Sequence, residues 1–150
     1  MNNQPDLHFR LARADDIAAM SAIRLAVTEN VLSDPAKVTL RMYRDYMETL
    51  GRAWVCEADG EVVGFCYAAS GDASIWALFV DRQFEGLGIA TGLLETACQW
   101  LQEIGKRHVV LSTAAGTRAD RFYMARGWQR DAPDVEGDVR FTKSLAPRDR

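Results

Sequence analysis

The sequence predicts one α+β domain, in which a mixed, mostly antiparallel sheet of about six to seven strands is flanked by four helices. Three observations support this fold class. Short apolar runs and segments of helical periodicity follow one another in the order β-α-α-β-β-β-α-β-α-β-β. An Asp-Gly pair between two central apolar runs predicts an antiparallel hairpin. Helices between the later strands predict crossovers, which place helices on both faces of the sheet.

The first third of the chain predicts one strand and two helices. Residues 7–13 alternate between apolar and polar side chains, as a half-buried strand does. Asp15 and Asp16 then predict the N-cap of a helix whose apolar residues, from Ile17 to Val27, recur at helical spacing. Residues 30–35 break the pattern. A second helix is predicted from residue 35, a proline suited to a first turn, to about residue 50.

The remaining two thirds predict the rest of the sheet. Runs 53–58 and 61–69 surround the turn Asp59-Gly60, and a third strand follows at 73–81. A long helix is predicted from about residue 88 to 104, where Gly105 ends it. A short buried strand at 108–113, a short helix at 118–126 and two further strands complete the fold, the last two at 128–130 and 138–145.

Length and composition limit the functions that the chain can serve. The 150 residues suit a single domain spanning residues 1–150, with an ordered core at about 7–145. The net charge of −3 gives no broad basic surface, so nucleic acid is not an expected partner. No apolar run approaches the roughly 20 residues that cross a bilayer, and the polar N-terminus has no signal-peptide pattern. We therefore expect no membrane partner and a cytoplasmic location.

Neither disulfides nor a metal site are predicted. The three cysteines are an odd number without framework spacing, which favours free, mostly buried thiols. His8 and His108 are isolated from each other and from any cluster of metal-ligating residues.

The turn between the third central strand and the long helix carries the chemistry. Gly86 and Gly88 allow the backbone to turn tightly and leave no side chain in the way of a ligand. The first amides of a helix have no internal partner, and together with the helix dipole they form an anion site. A pyrophosphate is the expected ligand.

The P-loop pattern does not fit, because Gly-Ile-Ala replaces Gly-Lys-Ser/Thr. The dinucleotide fingerprint does not fit either, because Thr91 replaces its third glycine.

A third phosphate-binding pattern fits this turn. Gln83-x-x-Gly86-x-Gly88 resembles the Gln/Arg-x-x-Gly-x-Gly/Ala signature of the GCN5-related N-acetyltransferase (GNAT) superfamily. Tyr123-x-x-x-Gly127-Trp128 resembles a later motif of that superfamily, and the likeness in element order covers about residues 7–145. The resemblance implies the acyl-CoA N-acyltransferase fold. It also implies transfer of an acetyl group from acetyl-CoA to a primary amine of a small molecule or protein by direct attack, without a metal.

The resemblance also implies which residues bind the coenzyme. Backbone groups of the third central strand would pair with the pantetheine arm, and amides of the glycine turn would hold the pyrophosphate. Tyr123 would protonate the leaving thiolate. The predicted coenzyme-binding residues are Leu78, Phe79, Val80, Glu85, Gly86, Leu87, Gly88, Ile89, Ala90 and Thr91.

Three positions depart from the family pattern. Glu85 and Leu87 stand where the family often has Arg or Lys, so two cation contacts to phosphate are missing. Arg82, Arg118 or Arg121 would have to supply that charge. Gly116-Thr117 stands where an Asn often precedes the motif tyrosine.

The acceptor side is less well specified by the sequence. Glu29, at the end of the first helix, is predicted to act in catalysis or in substrate binding, because this region forms the acceptor wall in the fold that the sequence resembles. The general base is left open between Glu29 and the weaker candidate Asp72. Asn30 and Trp76 are predicted to contact the amine acceptor. The resemblance also makes a homodimer a plausible assembly. The alternative function is a non-catalytic module that binds or senses acyl-CoA.

Overall fold

The computed structural model describes residues 4–26 and 39–145, and these residues form seven strands and four helices. In chain order the elements are β1 (Leu7–Leu11), α1 (Ile17–Ala26), α2 (Leu40–Glu48), β2 (Gly51–Ala58), β3 (Glu61–Ala69), β4 (Ser74–Val80), α3 (Ile89–Glu103), β5 (His108–Ala114), α4 (Arg118–Ala125), β6 (Gln129–Arg130) and β7 (Asp138–Ser144). The predicted element order is confirmed within the described residues.

The strands form one sheet in the order β1-β2-β3-β4-β5-β7-β6, and every neighbouring pair is antiparallel except β4 with β5. The predicted mixed, mostly antiparallel sheet is therefore confirmed. The Asp-Gly turn joins β2 to β3 as expected, with Asp59 at φ 52° and Gly60 at φ 88°, the left-handed conformations that a tight hairpin requires. The sequence did not predict that β7 lies between β5 and β6.

Helices cover both faces of the sheet and bury two cores. On one face, α1 and α2 pack on β2, β3 and β4 and bury Met20, Tyr43 and Phe65. On the other face, α3 packs on the same strands and buries Leu93 and Leu101. Because β3 is sandwiched between the two cores, its residues from Val63 to Ala69 are all buried.

Asp16 has a different role from the predicted helix cap. It closes a 3-10 turn before α1, where its carboxylate accepts a hydrogen bond from the Arg13 N–H at 2.7 Å. The Arg10 guanidinium donates to both Asp16 oxygens and to Glu57 on β2. These hydrogen bonds from Arg10 are the main cause of the lowered pKa of Asp16. Asp16 therefore ties β1, β2 and the start of α1 together.

One predicted boundary differs from the structure, and another lies outside the described residues. The first strand ends at Leu11 and not at residue 13, since Arg13 belongs to the turn before α1. The predicted start of the second helix, residue 35, lies outside the described residues. Within them, α2 begins at Leu40, and the Thr39 hydroxyl caps it by accepting from the Met42 N–H at 3.1 Å.

Strands β4 and β5 separate almost as soon as they meet. Ser74 and Val110 are their single paired position, where the Val110 N–H donates to the Ala73 carbonyl at 3.0 Å. Two positions later β4 contains a bulge: Ala68 pairs with Ile75 and Tyr67 with Ala77, so Trp76 is an extra residue. A bulge bends its strand and increases the local twist. Among the described residues, the carboxyl end of β4 consequently has no strand neighbour on the side of β5.

Gly64 on β3 lets α3 begin close to the end of β4. A Cβ atom at this position would lie 3.0 Å from the Ile89 side chain and 3.2 Å from the Phe79 carbonyl oxygen. Ile89 is the first residue of α3 and is fully buried. The missing side chain of Gly64 therefore sets how near the first turn of α3 lies to β4.

We expect Gly64→Ala to lower the free energy of unfolding by about 1–3 kcal/mol, because the added methyl overpacks the contact with Ile89. Gly71→Ala is the matched control, since a Cβ there meets no atom within 4 Å. It should change stability by less than about 0.5 kcal/mol. Urea unfolding of both variants measures the difference, and equal midpoints would contradict this account of Gly64.

Candidate functional site

A cleft of about 370 Å³ opens where β4 leaves β5. Its walls are the end of β4, the glycine turn, the first turn of α3, and α4. All the predicted coenzyme-binding residues line it except Leu87, and Tyr123 lines it as well. The further lining residues, which no sequence motif indicated, are Phe84, Ala119, Phe122 and Arg126.

The first turn of α3 presents to this cleft amides that have no hydrogen-bond partner in the described part of the chain. Gly86 and Gly88 adopt the left-handed φ values of 85° and 82° that the turn requires. The helix begins without a side-chain cap or an acidic residue in its first turn. Its first internal hydrogen bond runs from the Gly92 N–H to the Gly88 carbonyl at 3.0 Å. The N–H groups of the three residues before Gly92 are therefore available to an anion.

The end of β4 contributes a row of backbone groups. The Asp81 N–H donates to the Val63 carbonyl on β3 at 2.8 Å. Because hydrogen-bonded and outward-facing residues alternate in an antiparallel ladder, Phe79 bonds to β3, whereas Leu78 and Val80 point their N–H and C=O groups away from it. Since β5 has diverged, those groups face the cleft. Of the three predicted residues, Leu78 and Val80 thus have backbone groups available to a ligand.

Leu87 points away from the cleft. Its side chain packs against the core on the α3 face, and it lines a separate depression of about 140 Å³ with Gln4, Pro5, Leu7 and Gly86. A predicted role for Leu87 is therefore limited to its backbone.

Tyr123 lies at the inner wall of the cleft with 5% of its surface exposed. Its ring packs against Trp128 and Phe141, with centroids 5.4 Å away in each case. Burial raises the pKa of Tyr123, and the nearby Cys66 and Cys98 thiols add to the rise. No described residue forms a hydrogen bond with its hydroxyl. The phenol is therefore protonated near neutral pH and available to a group in the cleft.

Asp120 fixes the orientation of α4. It is 3% exposed, and its carboxylate accepts two hydrogen bonds from the Arg130 guanidinium at 2.9 Å and one from the Gly116 N–H at 2.9 Å. The hydrogen bonds from Arg130 are the main cause of the lowered pKa of Asp120. The Thr117 hydroxyl accepts from the Asp120 N–H and caps the helix. Tyr123 lies one turn further along α4, so this network also positions its ring.

The predicted sources of positive charge differ in their placement. Arg118 lines the cleft but forms an ion pair with Glu85 across its mouth at 3.2 Å. Arg82 and Arg121 do not line the cleft, and Arg121 donates to the Gly116 carbonyl at 3.0 Å. Arg126, which no sequence motif indicated, reaches from the end of α4 to the Thr91 hydroxyl on α3.

Of the three predicted acceptor-side residues, the structure describes Trp76 alone. Glu29 and Asn30 lie outside the described residues. Trp76 is half-buried on the opposite face of β4, where its ring centroid lies 4.6 Å from that of Tyr67 and 5.4 Å from that of Tyr46. Its indole N–H is buried and has no hydrogen-bond partner in the described part of the chain. The structure therefore does not bring Trp76 into the same cleft as Tyr123.

Two observations apply to residues 4–26 and 39–145. No group of three or more His, Cys, Asp and Glu side chains there is placed to hold a metal ion. None of the helices in these ranges has the length and apolarity needed to span a bilayer.

Comparison with known proteins identifies the family. The sequence pattern of the Acetyltransferase (GNAT) family matches residues 18–128. The chain belongs to this family. The matched range contains the glycine turn, the diverging strands and α4, which are the walls of the cleft. The resemblance inferred from the two sequence motifs is therefore confirmed.

Individual relatives agree with this membership. A mycothiol acetyltransferase of Sanguibacter keddieii is 34% identical over 96 aligned residues, which cover 57% of this GNAT chain and 30% of the relative. The chain spans less than half of the length of the curated relatives that it matches.

Solved structures agree on the fold. Ard1 of Thermoplasma volcanium has a TM-score of 0.76 and 20% identity, with 93% of this chain and 98% of Ard1 covered. The PaiA N-acetyltransferase of Thermoplasma acidophilum, solved in complex with coenzyme A, has a TM-score of 0.77 and 14% identity, with 93% and 99% covered. These similarities confirm the predicted acyl-CoA N-acyltransferase fold.

We expect Asp120→Asn to lower the melting temperature at pH 7, because the change removes the charge that pairs with Arg130. The folded-state pKa of Asp120 is depressed, so its carboxylate stabilises the fold above the unfolded-state pKa of about 3.9, and this contribution is lost as the pH falls through the folded-state pKa. The difference between variant and parent should therefore shrink below about pH 4.

Thermal unfolding at pH 7, 5 and 3 checks this dependence. Asp15→Asn, at an exposed position, reports the general effect of losing one negative charge. A difference between Asp120→Asn and the parent that persists unchanged at pH 3 would contradict the assigned role of the ion pair.

Proposed function

We propose that this chain binds acetyl-CoA and transfers its acetyl group to a primary amine of a small molecule or protein by direct attack, in the cytoplasm. One observation carries the proposal: unpaired amides of α3, the free edge of β4 and the Tyr123 hydroxyl face the same cleft. The fit to coenzyme A follows from its chemistry, because a doubly charged pyrophosphate suits uncapped amides at a helix start. The extended pantetheine arm contains amides, which can form hydrogen bonds with the unpaired backbone groups of β4.

Within this proposal each group in the cleft has a separate task. The amides of Gly88, Ile89, Ala90 and Thr91 bind the pyrophosphate, while Leu78 and Val80 align the pantetheine arm. Acetyl-CoA supplies the thioester carbon that the amine attacks. A backbone N–H near Val80 stabilises the negative charge that develops on the carbonyl oxygen. Holding amine and thioester together supplies much of the acceleration.

Tyr123 is the proposed general acid. The leaving thiol has an ordinary pKa near 8.5, so its departure as a thiolate is assisted by a proton donor. The Tyr123 hydroxyl is protonated at neutral pH, as a proton donor must be, because burial raises its pKa above an ordinary value already near 10. The absence of a hydrogen-bond partner among the described residues leaves the hydroxyl available for the sulfur.

The acceptor is proposed to approach from the other face of the sheet. Trp76 lies on that face at the bulge of β4, so it stands beside the gap through which an amine would reach the thioester. Glu29 is kept as a proposed catalytic or substrate-binding residue and Asn30 as a proposed acceptor contact. The homodimer stays a prediction from the resemblance.

The alternative function is a non-catalytic acyl-CoA-binding module. The observation that favours it is the Glu85–Arg118 ion pair, which neutralises a cation at the mouth of the cleft and leaves an acid where the family often has a base. This ion pair would weaken coenzyme binding. It would not change Tyr123 or the backbone groups of β4.

We expect isothermal titration calorimetry to detect binding of both CoA and acetyl-CoA. We also expect a panel of primary amines, assayed by release of free CoA thiol, to include at least one substrate. Binding without turnover on any amine would favour the non-catalytic module. If millimolar coenzyme produced no binding heat, the proposed function would be wrong.

Tyr123→Phe should lower kcat by about 100-fold or more, the usual effect of losing a positioned proton donor. The affinity for CoA should stay within about twofold, because the packing of the ring on Trp128 and Phe141 is retained. Steady-state kinetics and calorimetry measure the two effects separately, and an unchanged melting temperature serves as the control for folding. Undiminished turnover would exclude the acid role.

A further inference from the structure

Arg126 occupies an unusual position relative to the anion site. It follows the last residue of α4, and its guanidinium extends along the cleft to α3. Its Nε donates to the Thr91 hydroxyl at 3.1 Å, and a terminal guanidinium nitrogen donates to the same oxygen. The guanidinium also stacks on the Phe122 ring, 4.0 Å from its centroid. Two contacts thus hold the cation over the first turn of α3.

This placement is electrostatically unfavourable without an anion. Thr91 is the third residue of α3, so the guanidinium lies beside the positive end of the helix dipole and its unpaired amides. No described carboxylate forms an ion pair with Arg126, whereas Arg118 pairs with Glu85. The Thr91 hydroxyl is neutral and uses only part of the donor fork of the guanidinium. Positive groups that converge in this way are complementary to a bound anion.

We propose that Arg126 contacts the pyrophosphate of the coenzyme and supplies the cation that the glycine turn lacks at Glu85 and Leu87. This inference rests on the proposed function. The pyrophosphate is preferred to the 3′-phosphate because Thr91 belongs to the turn whose amides are unpaired. A guanidinium can donate two parallel hydrogen bonds to phosphate oxygens, and its stacking on Phe122 reduces the entropy lost on binding.

Arg126→Gln tests the assignment with three ligands. CoA and dephospho-CoA both contain the pyrophosphate, and dephospho-CoA lacks the 3′-phosphate. S-acetyl-pantetheine has the thioester arm but no pyrophosphate. We expect the variant to bind CoA and dephospho-CoA about 10- to 100-fold more weakly in calorimetry, the effect of losing a charge-assisted hydrogen bond. Its kcat/KM with S-acetyl-pantetheine should stay within about twofold of the parent.

Arg107→Gln is the matched control, because it removes the same charge from an exposed position before β5, at the end of the sheet away from the cleft. Both coenzyme affinities should stay within about twofold in this variant. The melting temperature of ligand-free Arg126→Gln should equal or exceed that of the parent, since the variant relieves the repulsion at α3.

Other results would overturn the assignment in different ways. Equal losses with all three ligands would make Arg126 a structural residue of α4. A loss with CoA but not with dephospho-CoA would assign it to the 3′-phosphate. Unchanged affinities in Arg126→Gln, with normal binding by the parent, would exclude the contact while leaving the proposed function intact. If the parent bound no coenzyme, both the proposed function and this assignment would be wrong.

Discussion

The separation of β4 from β5 after a single paired residue is the constraint on which the site depends. A central strand ordinarily bonds to neighbours on both sides, and buried backbone groups without partners are costly. Here Ser74 pairs with Val110, Trp76 forms a bulge, and among the described strands β4 then continues paired with β3 alone. The resulting gap exposes the outward-facing backbone of Leu78 and Val80. Without this divergence the cleft between α3 and α4 would be filled by ordinary sheet.

The bulge also interrupts the alternation of the β4 side chains between the two faces of the sheet. Beyond it, Leu78 and Val80 pack towards α3 and the cleft, whereas Trp76 and Ala77 both pack towards α1 and α2. Gly64 brings the first turn of α3 against the end of the same strand, and Asp120 holds α4 on the other side. The coenzyme-binding groups and the proposed acceptor face are thus organised around one short segment of β4.

Local sequence patterns predicted the features that interactions between neighbouring residues determine. The Asp59-Gly60 hairpin and the glycine turn before α3 depend on nearby residues, and both formed as expected. Interactions between distant residues were not predictable from periodicity. The Trp76 bulge depends on pairing with β3, and the position of β7 on pairing with β5. Arg126 meets a residue 35 positions away, and no spacing rule connects the two.

An exposed strand edge inside a domain would ordinarily invite another polypeptide to add on. The helices on the two faces of this sheet disfavour the addition of such a strand. An incoming peptide strand carries side chains that alternate to both faces, where they would collide with α3 on one side and with α1 and α2 on the other. A narrow chain without alternating side chains makes fewer such contacts. The opening therefore favours a narrow ligand over a further polypeptide strand.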